Sequence, residues 1–180
     1  IAVDGTTATL SWSDVSDDDI SYFVVECKQS DGVWKSVSRT STNLGVNLRG
    51  LTPEHDYVYR VIGYDKRSNR GTPSEEITVT TLKDTICPKV TKITPDPGYF
   101  KSEINLRFTA EDDYRVKSIE TQTSTDKESW KTVSEIKATG ESAKCTFDCK
   151  LDLKNYEEGS VFVRAKVYDS YGNVTEDKDR

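Results

Sequence analysis

Residues 31–38 read DGVWKSVS, and residues 126–134 read DKESWKTVS. A turn aspartate, a Trp, a Lys and a hydroxyl-Val-Ser run recur in one order, with one residue inserted in the second copy. Trp34 and Trp130 lie 96 residues apart. A second pair follows: residues 60–65 read RVIGYD and residues 164–169 read RAKVYD, an R-x-x-x-Y-D frame repeated after 104 residues. Each motif alone is weak. The same order at near-equal spacing makes a tandem of two modules, each of the size of one folding domain. The strand pattern that ends at Thr81 gives way to Asp84-Thr85-Ile86-Cys87-Pro88, so the boundary falls after Lys83: one module over 1–83, a second over 84–180.

Outward from these repeats the dominant period is two. Ala8, Leu10 and Trp12 alternate with Thr7, Thr9 and Ser11, and the pattern resumes at Phe23-x-Val25-x-Cys27, Leu44-x-Val46-x-Leu48, Tyr57-x-Tyr59-x-Val61-x-Gly63 and Ile77-x-Val79. In the second module it runs through Ile104, Leu106, Phe108 and Ala110, through Cys145 to Leu153, and through Val161 to Val167. Such alternation marks half-buried antiparallel strands, and no segment carries a helical period. Turn residues at Ser30-Asp31-Gly32, Asn69-Arg70-Gly71 and Tyr171-Gly172-Asn173 punctuate the strands. The fold class is therefore all-β, with two tandem Ig-like β-sandwiches.

Composition narrows the function. The 31 acidic residues outnumber the 25 basic ones, for a net charge of -6, which disfavours a phosphate backbone as partner. The longest purely apolar run is Tyr22–Val25, far short of a bilayer span. With one His, four Cys and no Met, the inventory for acid-base, thiol or metal chemistry is nearly empty. No nucleic acid, no membrane insertion and no catalysis are expected.

The first module resembles a fibronectin type III domain. Trp12 closes a strand that looks like the one bearing that family's core tryptophan, and Ile20–Lys28 (ISYFVVECK) is similar to its I-x-G-Y-x-V-x-Y-R strand, with Cys27 in place of an aromatic. Leu51-Thr52-Pro53 followed by Tyr57-Val58-Tyr59-Arg60-Val61 looks like its tyrosine corner. The second module is similar, more loosely, to the Ig-like or fibronectin-like repeats of bacterial surface proteins, through its D-x-x-x-P opening at Asp84–Pro88 and the run from Val163 to Asn173. It departs from fibronectin type III where Phe108 or Ala110 replaces the core tryptophan. Residues 173–180 (NVTEDKDR) lack the apolar alternation of a closing strand, so a domain truncated at that strand is expected. The resemblance implies an extracellular or cell-surface multimodular protein with no cofactor.

Few residues stand out as sites. Cys145 and Cys149 lie four apart on one strand, about 13 Å between Cα atoms, beyond disulfide reach, and share the apolar phase with Cys27. Cys87, in the linker, is the exposed thiol. His55, between Glu54 and Asp56, reads as a solvated loop histidine. Trp34 and Trp130 occupy equivalent places and read as architecture, which leaves Tyr99, Tyr114 and Tyr171, in loops, as candidate ligand contacts. No metal site is expected; were one present, the converging loop carboxylates Asp84, Asp112, Asp113 and Asp169 would suit calcium, a hard cation that takes six to eight oxygens. Asn173-Val174-Thr175 is a formal glycosylation sequon. Two readings of function stay open: a spacer that positions neighbouring domains of its own polypeptide, or a module that binds a glycan or surface protein directly, as in an adhesin or receptor ectodomain.

Overall fold

The computed structural model describes residues 1–13, 18–41 and 43–177. The chain divides into two compact units, Ile1–Asp84 and Thr85–Arg180, each an antiparallel β-sandwich. Among the described residues no helix is long and apolar enough to cross a membrane.

Unit 1 contains β1 (Ala2–Val3), β2 (Thr7–Ser11), β3 (Ile20–Lys28), β4 (Trp34–Thr40), β5 (Gly45–Arg49), β6 (Asp56–Asp65) and β7 (Ile77–Thr80). One sheet has the order β1-β2-β5 and the other β4-β3-β6-β7. The alternating residues point inward, and Ala8, Leu10, Val25, Cys27, Leu48, Tyr59 and Val79 form the core. Trp12 packs against that core and meets Phe23 edge to face, with ring centroids 5.5 Å apart. Phe23 pairs with Gly63 across β3 and β6, where a Cβ would lie 3.6 Å from the Phe23 ring and 3.0 Å from Ile20 Cδ1, so the absent side chain makes room for the ring. The Tyr57 hydroxyl accepts the Thr52 N–H at 2.8 Å, which pins the turn before β6 to that strand.

Unit 2 contains β8 (Lys89–Thr94), β9 (Glu103–Glu111), β10 (Val116–Ser124), β11 (Lys131–Lys137), β12 (Lys144–Asp152), β13 (Phe162–Asp169) and β14 (Val174–Glu176). Its sheets have the orders β12-β9-β8 and β11-β10-β13-β14. Phe108, Phe147, Ile119 and Val167 are buried at its centre. Phe108 and Ala110, where the core tryptophan is missing, are both fully enclosed.

Two expectations need correction. Residues 174–176, expected to carry no closing strand, form β14, paired to Lys166, Val167 and Tyr168. Apolar alternation is missing there because the strand is fastened by backbone pairing and by Glu176, which reaches Lys166 at 2.6 Å and Arg164 at 3.4 Å. The last three residues of that stretch lie outside the described residues. Leu153, in turn, leaves the alternating strand for a 3-10 turn, Leu153–Asn155, because the Asp152 side chain caps it by accepting the Lys154 N–H.

Strand β10, central in its sheet, has no apolar alternation in sequence because it turns Thr121 and Thr123 toward the interior. Thr123 Oγ1 lies 2.8 Å from the Tyr156 hydroxyl, whereas the Thr121 hydroxyl has no hydrogen-bond partner among the described residues and is fully buried. Burying an unpaired hydroxyl costs about 1–3 kcal/mol. Thr121→Val keeps the shape and removes that cost. It should raise stability by about 1 kcal/mol, read as a higher urea midpoint at unchanged slope; a lower midpoint would mean the hydroxyl is satisfied.

Candidate functional site

The two repeats found in the sequence meet in space within each unit. In unit 1, Trp34 opens β4 opposite Lys28, and Arg60 stands on β6 opposite Glu26. The period-two pleat puts all four on the face of the sheet away from the core. The Arg60 guanidinium lies 3.9 Å from the centre of the Trp34 ring, and its nitrogens reach Glu26 Oε2 at 2.6 and 2.8 Å. Arg70 adds a contact to the same oxygen at 3.6 Å, and the Lys28 ammonium approaches Trp34 from 5.5 Å. In unit 2, Arg164 stacks on Trp130 at 4.3 Å and donates from Nε to Gln122 Oε1 at 2.7 Å. The strand partner is thus a carboxylate in one unit and an amide in the other, and Glu26 and Gln122 lie the same 96 residues apart as the two tryptophans. Gln122 in turn donates to Glu120 at 2.7 Å; Thr132 and Tyr168 also donate to that carboxylate. Hydrogen bonds from Thr132, Gln122 and Tyr168 hold the Glu120 carboxyl below the usual range.

The second frame, R-x-x-x-Y-D, ends in an aspartate that locks a hairpin. Asp65 Oδ1 accepts the N–H groups of Arg67 and Asn69, each at 2.8 Å, and its Oδ2 accepts the Asn69 amide at 2.7 Å. Asp169 repeats this with Tyr171 and Asn173 at 2.8, 2.8 and 2.6 Å. The aspartate N–H closes each turn on the asparagine carbonyl, and the residue before the asparagine has positive φ: Ser68 at 65° and Gly172 at 90°. The motif therefore extends to D-x-x-x-N, which pairwise reading of RVIGYD and RAKVYD stops just short of. A shorter form opens the tryptophan hairpins: Val33 N–H donates to Asp31, while Glu128 and Ser129 N–H donate to Asp126. The Ser129 and Glu128 amides and the Ser124 hydroxyl hold the Asp126 carboxyl down at about 2.

The sequence-derived candidates separate. Tyr114 and Tyr171 come together, with ring centroids 5.9 Å apart and Arg115 over Tyr114 at 4.5 Å. Tyr99 is not with them: it precedes β9 whereas Tyr114 follows it, and nine strand residues span about 25–30 Å. Tyr99 is fully exposed beside a cavity of about 290 Å³ lined by Ile93, Pro95, Phe100, Ile104, Leu106 and Phe162. Of the carboxylates, Asp112 and Asp169 have oxygens within 4.8 Å of each other, and Asp113 is exposed on the turn. Asp112, half-buried, accepts the N–H groups of Tyr114 and Arg115, so it and the buried Asp169 both act as turn fasteners. Asp84 is buried as the last residue of unit 1. His55 is exposed and lies edge-on to Tyr57 at 4.8 Å. All four cysteines are free thiols; Cys27 and Cys149 are buried, Cys145 half-buried and Cys87 exposed. Burial pushes the Cys27 thiol up, which keeps it protonated and inert.

The family model for the fibronectin type III domain matches residues 1–80, so unit 1 is a fibronectin type III domain. The chain is similar to the fibronectin type III domain of human fibronectin type III domain containing protein 3 (27% identity over 47% of this chain and 80% of that one, TM-score 0.41). It is also similar to a two-domain fibronectin type III segment of chicken tenascin (14% identity, 100% and 92% covered, TM-score 0.41) and to the chicken CNTN1 FN1–FN3 domains (16%, 100% and 62%, TM-score 0.42). No curated protein matches the chain.

Two outcomes follow from the geometry. Trp34→Ala and Arg60→Ala should each cost about 1–3 kcal/mol, and the double variant should cost less than their sum by about 1 kcal/mol, because a partly desolvated cation over an indole face is worth that much; strict additivity in urea titrations would show that the stack carries no coupling. Acid should act through Asp126 and Glu120. Their folded values lie below their unfolded ones, so the stability they contribute is whole above the unfolded values near 4 and is lost as pH falls, for Asp126 down to about 2. Urea midpoints should be level in that respect above pH 5 and drop between about pH 4 and 2; Asp126→Asn should flatten part of that drop.

Proposed function

We propose that the chain is a non-catalytic pair of β-sandwich modules that acts as a spacer or scaffold for neighbouring domains in a secreted or cell-surface multimodular protein, with unit 2 of the bacterial surface-repeat kind. One observation carries this reading: the side chains with the most chemical potential are spent on fastening strands, in the same way in both units. Trp34 and Trp130 are covered by Arg60 and Arg164, and Asp65 and Asp169 are saturated by their own hairpins. A spacer needs stiff, self-satisfied modules and gains nothing from open polar sites. The net charge of -6 accords with the absence of a nucleic-acid role in this reading.

A second reading, a direct binder of a glycan or surface protein, is favoured by the Tyr114–Tyr171 pair with Arg115 and by the exposed Tyr99. Aromatic faces of this kind suit sugar rings. A glycan array and a pull-down with the whole chain separate the two readings. The spacer reading expects no micromolar or tighter ligand and no turnover on a broad hydrolase panel. Reproducible binding that is lost in Tyr114→Ala or Tyr99→Ala would replace it with the binding reading, and turnover would overturn both.

A further inference from the structure

The chain has a single N-x-Ser/Thr triplet, Asn173-Val174-Thr175. By sequence it is an acceptor for an N-linked glycan. Transfer requires the asparagine amide nitrogen to attack the anomeric carbon of a polyprenyl-pyrophosphate-linked oligosaccharide. The C–N bond forms, the bond from that carbon to the pyrophosphate oxygen breaks, the lipid pyrophosphate leaves, and one amide proton passes to a base of the transferase. The nitrogen must therefore be accessible, and the chain around it must fit the enzyme's groove.

In the folded unit 2 neither condition is met. Asn173 Nδ2 donates to Asp169 Oδ2 at 2.6 Å and to the Ile86 carbonyl at 3.3 Å, so both of its N–H groups point at protein acceptors. The Asn173 N–H donates to Asp169 Oδ1, and its carbonyl accepts the Asp169 N–H at 3.1 Å. Val174 and Thr175, the rest of the triplet, are paired in β14 with Tyr168 and Val167. The transferase would have to strip a strand and open the clasp to reach the nitrogen.

We infer that Asn173 is a folding-gated glycan acceptor: its amide is available only before the Asp169–Asn173 hairpin closes, and a sugar attached then keeps the hairpin from closing. The second half follows from counting hydrogens. A glycosylated amide retains one N–H where the clasp uses two, and the sugar would occupy the space between Asn173 and the Ile86 carbonyl. The residue is thus a fastener that carries a sequon, and the glycan and the native hairpin exclude each other.

The test uses the full chain, a eukaryotic-type single-subunit oligosaccharyltransferase and a lipid-linked oligosaccharide, with intact-mass detection. A synthetic peptide with the sequence of residues 167–180 serves as the open acceptor. The folded chain should be modified about 100-fold more slowly than the peptide, as expected for an acceptor reached only by local opening. Asp169→Ala, which leaves the triplet intact, should recover most of that rate. Equal rates for folded chain and peptide would overturn the inference, as would refusal of the peptide or an Asp169→Ala variant that is folded and still refractory. Should that variant fail to fold, a second measurement decides. Chain glycosylated while unfolded and then refolded should melt below the unmodified protein, and an unchanged melting temperature would show that sugar and clasp coexist.

Discussion

Register is the constraint on which the rest depends. Side chains alternate with a period of two along every strand, so a slip of one residue would carry Arg60 and Glu26 into the core and Tyr59 and Val25 out to solvent. The hairpin aspartates prevent that slip. Asp65 and Asp169 each bind a residue two places on and another four places on, which fixes the length of the turn and hence the pairing of the strand that follows. Asp31 and Asp126 hold the tryptophan hairpins with a shorter grip, Asp31 on the residue two places on and Asp126 on those two and three places on. With register fixed at both ends of the four-stranded sheet, the outer face can carry a stacked cation at no cost to the inner one.

The two units reach one arrangement with different materials. Unit 1 places Glu26 beside its arginine and makes a half-buried ion pair; unit 2 places Gln122 there and passes the charge one step away, to Glu120. A planar guanidinium satisfies either partner through its in-plane N–H groups while its face rests on the indole. Positive φ shows the same economy. Gly32 and Gly172 accept it freely, whereas Lys127 and Ser68 adopt it at 65° under the hold of the neighbouring aspartate.

Self-satisfaction of this kind has a functional side. Polar groups already bonded within the module offer little to a ligand, since a newcomer would have to replace bonds of equal quality. Tyr99, fully exposed and outside the clasps, sits in a loop, which is where a scaffold can vary without losing its sheets.

Much of this was legible in the sequence. Alternation from Ala8 to Trp12, from Tyr57 to Gly63 and from Ile104 to Ala110 marks strands because one buried face imposes its period on the chain, and duplicated Trp and Arg motifs mark two modules because each must repeat the same pairing. Other elements left no such trace. Strand β10 buries threonines, β14 is held by its backbone and by Glu176, and neither writes an apolar period. That Arg60 covers Trp34, that Tyr114 meets Tyr171 while Tyr99 stays apart, and that Asn173 spends both amide hydrogens on Asp169 and Ile86 was decided only by the tertiary structure. The sequence records which face a residue takes, since burial is a property of one strand; which neighbour it meets depends on strand order and register, and these arise only when the sheets assemble.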